Sequence, residues 1–254
     1  MILELEDLTY VHGSGRGVTG FSARFESGKL YGILGPNGAG KSTLIRMAAG
    51  CSRPQSGRVL ADSVDVFSMR PRERAGKTAF LPQTLPCEFD YTCLEAVSFG
   101  TYGSSGFLPG RGETERCLEA MREIGVEHLA DRRISDLSGG ELQKVMIAQT
   151  MAQDAEATIL DEPISHLDPL RQNEIMGRLR ELAKGRNKLV IVTIHDLTMA
   201  SLFCDEVIMM RDGKKKAEGP LQEAFMEESI RETFGIDAEI IPYSGGRVPV
   251  IKRA

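Results

Sequence analysis

The stretch Gly35-Pro36-Asn37-Gly38-Ala39-Gly40-Lys41-Ser42 decides how the chain is read. It matches G-x-x-x-x-G-K-[ST], a loop whose backbone amides cradle a phosphate. Its context fits. Leu30-Tyr31-Gly32-Ile33-Leu34 before it reads as a buried strand, and Thr43 to Ala49 behind it as a helix that stops at Gly50. A strand, a glycine-rich turn and a helix N-terminus aim N–H groups and the positive helix end at an anion. In such a loop Lys41 reaches the β- and γ-phosphates and Ser42 holds Mg²⁺. The alternative is an ordinary glycine turn, but a match this long arises by chance on the order of 1% of the time at average residue frequencies.

The remaining composition narrows the setting. A chain of 254 residues has ample length for a core. Its net charge of -5 gives no basic footprint for nucleic acid, and Lys214-Lys215-Lys216 reads as a solvated turn or sheet edge. The five cysteines (51, 87, 93, 117 and 204) are scattered and lack metal spacing, as expected of reduced structural thiols in the cytosol. No N-terminal targeting pattern is visible, and no apolar run approaches the ~20 residues of a membrane span. Any membrane role is therefore expected to run through a partner.

Outward from the loop, residues 1–34 alternate in the β manner between glycine-rich turns, which predicts a small antiparallel sheet. Arg58-Val59-Leu60 and Thr78-Ala79-Phe80-Leu81 read as further strands. Residues 84–135 change character: Glu113 to Ile124 has helical spacing, Gly103 to Gly112 reads as a loop, and the region is expected to be a mostly helical insert. Ser138-Gly139-Gly140-Glu141 opens a helix to about Ala152, with Ser138 and Glu141 in capping-box positions. Strand and helix then alternate again: Ala157 to Leu160, a helix from Asp168-Pro169 to about Lys184, and the apolar run Leu189 to Ile194. Glu206 to Ala217 reads as a hairpin about Asp212-Gly213, and the tail from Gly219 as a short helix and an unassigned end.

In a parallel sheet, ligand groups gather at the carboxyl ends of strands, where the loop, Gln83, Asp161-Glu162 and His195 all fall. Phosphoryl chemistry there needs a metal ligand, an oriented water and a γ-phosphate sensor. Asp161 suits the metal, Glu162 the water, Gln83 either, and His195 the γ-phosphate. Singly, Glu162 also reads as a surface acid, Gln83 as a loop residue and His195 as a satisfied strand-end histidine. Tyr10 reads either as a stacking partner for adenine or as a packed strand aromatic.

At these residues the sequence resembles the nucleotide-binding subunits of ATP-binding cassette (ABC) transporters. Residues 35–42 fall at Walker A, Gln83 at the Q-loop and Leu137 to Glu141 at the family signature. Ile159-Leu160-Asp161-Glu162-Pro163 falls at Walker B with its catalytic glutamate, Ser165-His166-Leu167-Asp168 at the D-loop, His195 at the switch histidine and Tyr10 at the adenine-stacking aromatic. Glu141 stands where the family more often has Gln, and Gln149-Thr150 where Arg-Ala is usual.

The resemblance implies an α/β fold: one P-loop NTPase (RecA-like) domain with an N-terminal antiparallel β subdomain and a helical insert subdomain. Residues 1–83 and about 153–220 would form the ATP-binding core, about 84–152 the insert and about 220–254 a tail. It implies ATP and Mg²⁺ as ligands, with Gly35 to Thr43 and Tyr10 binding ATP, and Lys41, Gln83, Glu162 and His195 catalytic. Ser42, Gln83 and Asp161 would hold the metal. In a head-to-tail dimer of two copies, Ser138, Gly139, Gly140, Glu141 and Asp168 would contact ATP on the opposite protomer.

Further implied partners are an integral-membrane permease and, indirectly, a substrate-binding protein, with the chain peripheral on the cytoplasmic face of the membrane and no nucleic acid involved. Arg72-Glu73-Arg74-Ala75, Phe80 to Gln83, Ser165-His166-Leu167-Asp168, His195-Asp196-Leu197 and Phe234-Gly235-Ile236-Asp237 look like the importers of iron–siderophore, haem and cobalamin. Gly100-Thr101-Tyr102 departs from that branch, and zinc or manganese importers and exporters remain alternatives. A DNA-repair or translation ATPase would carry two cassettes or a coiled-coil insert. A small-molecule kinase would lack the signature helix.

Overall fold

The computed structural model describes residues 1–83, 90–105, 111–165, 167–243 and 246–252. Cys87, His166 and positions 106–110 of the expected Gly103–Gly112 loop lie outside the described residues. The first part of the chain runs β1 (Ile2–Val11), β2 (Gly17–Glu26), β3 (Leu30–Leu34), α1 (Lys41–Ala48), β4 (Ser56–Ala61), β5 (Val64–Asp65), α2 (Pro71–Lys77) and β6 (Thr78–Leu81). Next come α3 (Cys93–Ser98), α4 (Tyr102–Ser105), α5 (Arg111–Glu123) and α6 (Gly139–Ala152). The flanks of the expected loop are thus helical. The chain continues with β7 (Ala157–Leu160), α7 (Pro169–Gly185), β8 (Leu189–Ile194), α8 (Leu197–Phe203), β9 (Glu206–Arg211) and β10 (Lys214–Pro220). It closes with α9 (Leu221–Ala224), α10 (Glu227–Phe234) and a hairpin of β11 (Ala238–Tyr243) and β12 (Gly246–Ile251). The tail therefore holds two helices and a hairpin where the sequence suggested one short helix.

A six-stranded sheet in the order β10-β9-β3-β8-β7-β6 forms the centre. All of its neighbouring pairs are parallel except β10 with β9. The parallel register brings Leu34 opposite Ile194, Leu160 opposite Val192 and Leu81 opposite Leu160, so the carboxyl ends of β3, β8, β7 and β6 lie together. Alternation sorts the sheet's side chains into two cores. Tyr31, Ile33, Ile159, Ile191 and Ile208 face the cluster shared with α1 and the antiparallel sheet β2-β1-β4-β5. Leu30, Leu34, Leu160, Val192 and Met209 face the cluster shared with α5 to α8 and the tail.

Local chemistry sets the boundaries. Gly50 takes φ 72 one residue beyond the C-cap Ala49 and ends α1, a left-handed position that favours glycine. Asp168 caps α7, its side chain accepting from Arg171 N at 3.0 Å, with Pro169 at the first position. The helix ends at Gly185, where the sequence expected its stop, and a left-handed Asn187 follows. No described helix is long and apolar enough to cross a membrane.

Phe225, 2% exposed, anchors the tail in the second core. Phe225→Ala is expected to cost about 3–5 kcal/mol, as aromatic truncation in a packed core does. Urea unfolding of the full chain measures it.

Candidate functional site at the strand ends

The loop after β3 is clamped from two sides. A Cβ on Gly35 would lie 2.1 Å from Met210 O, and one on Gly40 (φ 98) would lie 2.8 Å from Gly17 O. Neither position accepts a side chain without moving β9 or β2. Gly213 N donates to Ala39 O (3.0 Å), which ties the β9–β10 turn to the same loop. Lys41 is 5% exposed and donates to Gly35 O (2.8 Å) and Pro36 O (3.1 Å). Burial pushes its ammonium below the ordinary lysine range, opposed by the charges of Glu162 and Asp161. No side chain caps α1 and its first turn carries no acid, so its N-terminal amides and dipole remain available to an anion.

Two carboxylates follow β7, and one hydroxyl organises both. Thr193 Oγ1 donates to Asp161 Oδ1 (2.7 Å) and accepts from Glu162 N (2.8 Å). Asp161 is fully buried, and its Oδ2 has no hydrogen-bond partner among the described residues. An orphaned buried carboxylate oxygen is costly and fits a hard divalent cation, which takes oxygen ligands. Glu162 adopts φ 52, rare for a residue with a side chain. Its Oε2 accepts from Gln83 Nε2 (2.8 Å), and its Oε1 is hydrogen-bonded to His195 Nε2. Gln83, Glu162 and His195 thus meet as one cluster.

That cluster shares a cavity of about 900 Å³ with Gly35 to Gly38 and Gly40 to Thr43 of the loop and with Ser165. Ala39 is buried beneath the loop and is not on the lining. Tyr10 is not on the lining either. Its ring packs against the antiparallel-sheet core and meets His12 edge-on, with centroids 5.0 Å apart. His12 lines the cavity instead, its Nε2 3.1 Å from Thr43 Oγ1. A tight turn, closed by His12 N to Arg16 O and Gly15 N to His12 O (both 2.8 Å), carries His12 and Arg16 to the cavity. Phe234 of α10 also lines it.

Ser138, Gly139, Gly140, Glu141 and Asp168 lie away from this cavity's lining. Ser138 and Glu141 form the capping box: Glu141 Oε2 accepts from Ser138 N (2.9 Å) and Oγ (2.7 Å), which holds its carboxyl below the usual range. Ser138 and Gly139 are exposed at the start of α6. A Cβ on Gly140 would sit 3.0 Å from Leu167 Cδ2 and 3.1 Å from Arg171 Nη1, so the starts of α6 and α7 abut. Among the described residues no cluster of three His, Cys, Asp or Glu side chains forms a metal site.

The ABC transporter family profile matches residues 18–165. The hemin import ATP-binding protein HmuV of Bordetella bronchiseptica is 35% identical over 263 aligned positions, covering 100% of both chains. The achromobactin transport ATP-binding protein CbrD of Dickeya dadantii is 32% identical, covering 93% of this chain and 88% of its own. Among solved structures, a dimeric bacterial ABC transporter cassette, MJ0796, superposes with a TM-score of 0.77 at 26% identity, over 86% of this chain and 98% of its own. An inward-facing putative metal-chelate type ABC transporter shares the fold with a TM-score of 0.83, over 98% and 96%, at 23% identity.

Thr193→Val keeps shape but strands Asp161 Oδ1 and Glu162 N. It is expected to cost about 1–3 kcal/mol of stability, the penalty of buried unpaired polar groups. Chemical denaturation measures it, and steady-state kinetics should show turnover falling more than nucleotide affinity.

Proposed function

The chain belongs to the ABC transporter family and hydrolyses ATP, and we propose that it drives import of an iron complex through a separate membrane permease. The observation that carries the chemical part is the meeting of Lys41, Glu162 and His195 in one cavity above an uncapped helix N-terminus. The names of the relatives, hemin import and achromobactin transport, support an iron-complex cargo.

In this reading ATP lies with its β- and γ-phosphates on the amides of residues 35–43 and on Lys41 Nζ. That ammonium exchanges its two carbonyl partners for phosphate oxygens. Ser42, Asp161 and Gln83 would hold Mg²⁺, whose charge neutralises the β- and γ-phosphate oxygens when bound. Glu162 orients the attacking water and accepts its proton. His195, bonded to that carboxylate, contacts the γ-phosphate. The ring over the base is assigned to His12 rather than Tyr10, because His12 stands on the cavity and Tyr10 packs behind it.

One copy leaves the γ-phosphate open on one side. Ser138, Gly139 and Gly140 present a second anion-binding helix start, exposed and away from the copy's own cavity, and Glu141 and Asp168 flank it. A two-fold, head-to-tail pair closes each site with the other copy's α6, an isologous arrangement. Closure is the movement that a permease on the cytoplasmic membrane face would sense, with a substrate-binding protein delivering cargo from the other side.

Glu162→Gln is expected to keep ATP binding and lose nearly all turnover. Turnover close to wild type in the purified variant would remove Glu162 from its role. His12→Ala should weaken ATP binding by the ~1–3 kcal/mol of one base–ring stack, and Tyr10→Ala by much less. Calorimetric titration with ATP separates the two, and a reversed order returns the stack to Tyr10. For the transport role, mass spectrometry of proteins co-purifying from native membranes should recover a polytopic permease. Recovery with ribosomes or DNA alone would contradict it.

A further inference from the structure

The tail, residues 221–252, takes no part in the mechanism above, yet it reaches the site once and packs on the helix that follows His195. Phe234, the last residue of α10, lines the cavity together with Pro36, Lys41 and His195. It arrives from the sheet face opposite His12, for it packs on the cluster holding Leu34, Ile194 and Met209. Separately, β12 lies against α8, the helix capped by Asp196 directly after His195, and Ser201 and Leu202 share a cleft there with Tyr243 and Val248.

The position of Phe234 is fixed. Arg211 Nη1 donates to Glu232 O (3.1 Å), which ties α10 to the end of β9 beside the phosphate loop. Gly235 at φ 71 ends the helix at once, its N–H returning to Arg231 O (2.8 Å). Thr233 is fully buried, which sets the rotation of the last turn. At the other end of the tail, Leu221 N donates to Asp205 O (3.0 Å) and Phe225 is buried in the core.

A phenyl ring on a cavity built mostly of loop backbone and polar side chains offers a nucleotide apolar contact and excludes water beside it. We propose that Phe234 is a nucleotide-contact residue, and that through it residues 221–252 form a positioning element tightened by nucleotide and braced against α8, the helix that follows His195. Linkage makes the effect reciprocal: whatever affinity the contact adds for nucleotide returns as stability of the tail. The inference rests on the ATP reading above.

The test is hydrogen exchange of the full chain, with and without saturating ADP or a non-hydrolysable ATP analogue, in wild type, Phe234→Ala and Phe234→Leu. Nucleotide should slow exchange across residues 227–235 of wild type by roughly threefold or more, a shift in local opening. Phe234→Leu should keep most of this protection and Phe234→Ala should lose it, while residues 35–43 stay protected at saturation in all three. Nucleotide should also bind Phe234→Ala roughly threefold to tenfold more weakly, the scale of one aromatic contact. Protection of residues 35–43 without any change across 227–235 in wild type overturns the inference alone. Protection at neither segment refutes the nucleotide reading and this inference with it. Wild type and Phe234→Leu decide the matter even where Phe234→Ala does not fold.

Discussion

A single hydroxyl, Thr193 Oγ1, holds the site's two acids in their opposed attitudes. Asp161 is fully buried at the head of β7, where an ionised carboxylate is tolerated only with close partners. Thr193 gives it one, from the adjacent strand β8. The same oxygen accepts the N–H of Glu162, which helps hold that residue in a left-handed backbone conformation. Consecutive residues of an extended strand point to opposite faces. Glu162 lies beyond the end of β7, and the turn there brings its carboxylate to Gln83 and His195 on the cavity. One side chain on one strand thereby sets a buried acid with a free oxygen beside an acid that faces the reacting space.

The phosphate loop depends on a different constraint, close approach of backbones. Gly35 abuts Met210 O and Gly40 abuts Gly17 O, so the loop's shape is transmitted to β9 and to the antiparallel sheet. That sheet also supplies the turn carrying His12 and Arg16, and β9 carries the arginine that holds α10. Both sheet faces therefore feed one cavity: α1 and the small sheet from one side, and the tail from the other.

Much of this was legible in the sequence because parallel strands are continuous apolar runs and their carboxyl ends mark the site. Gly35, Gln83, Asp161, Glu162 and His195 follow such runs, and Ser138 with Glu141 announces its own helix. Thr193 was hidden because it sits inside the run Leu189 to Ile194, where β-branching alone accounts for it. Tyr10, expected at the nucleotide, is not on the cavity lining. A bulge at Asp7 (φ 47) and the turn at Gly13–Gly15 place the cavity two residues further on, at His12. The helix α2 lacks an apolar face, and Pro71 with the Arg70–Glu73 contacts marks its start. In the terminal hairpin the prolines at 242 and 249 obscure strand patterning, and most of its residues are exposed.

We propose that catalysis needs two copies, each lending its α6 start to the other's nucleotide. The most direct measurement is a crystal structure of Glu162→Gln grown with ATP and Mg²⁺. The expected result is a two-fold pair with ATP between Lys41 of one copy and Ser138 of the other, and the metal on Ser42 and Asp161. A monomer with ATP enclosed by its own residues alone, or a pair joined through other faces, would contradict it.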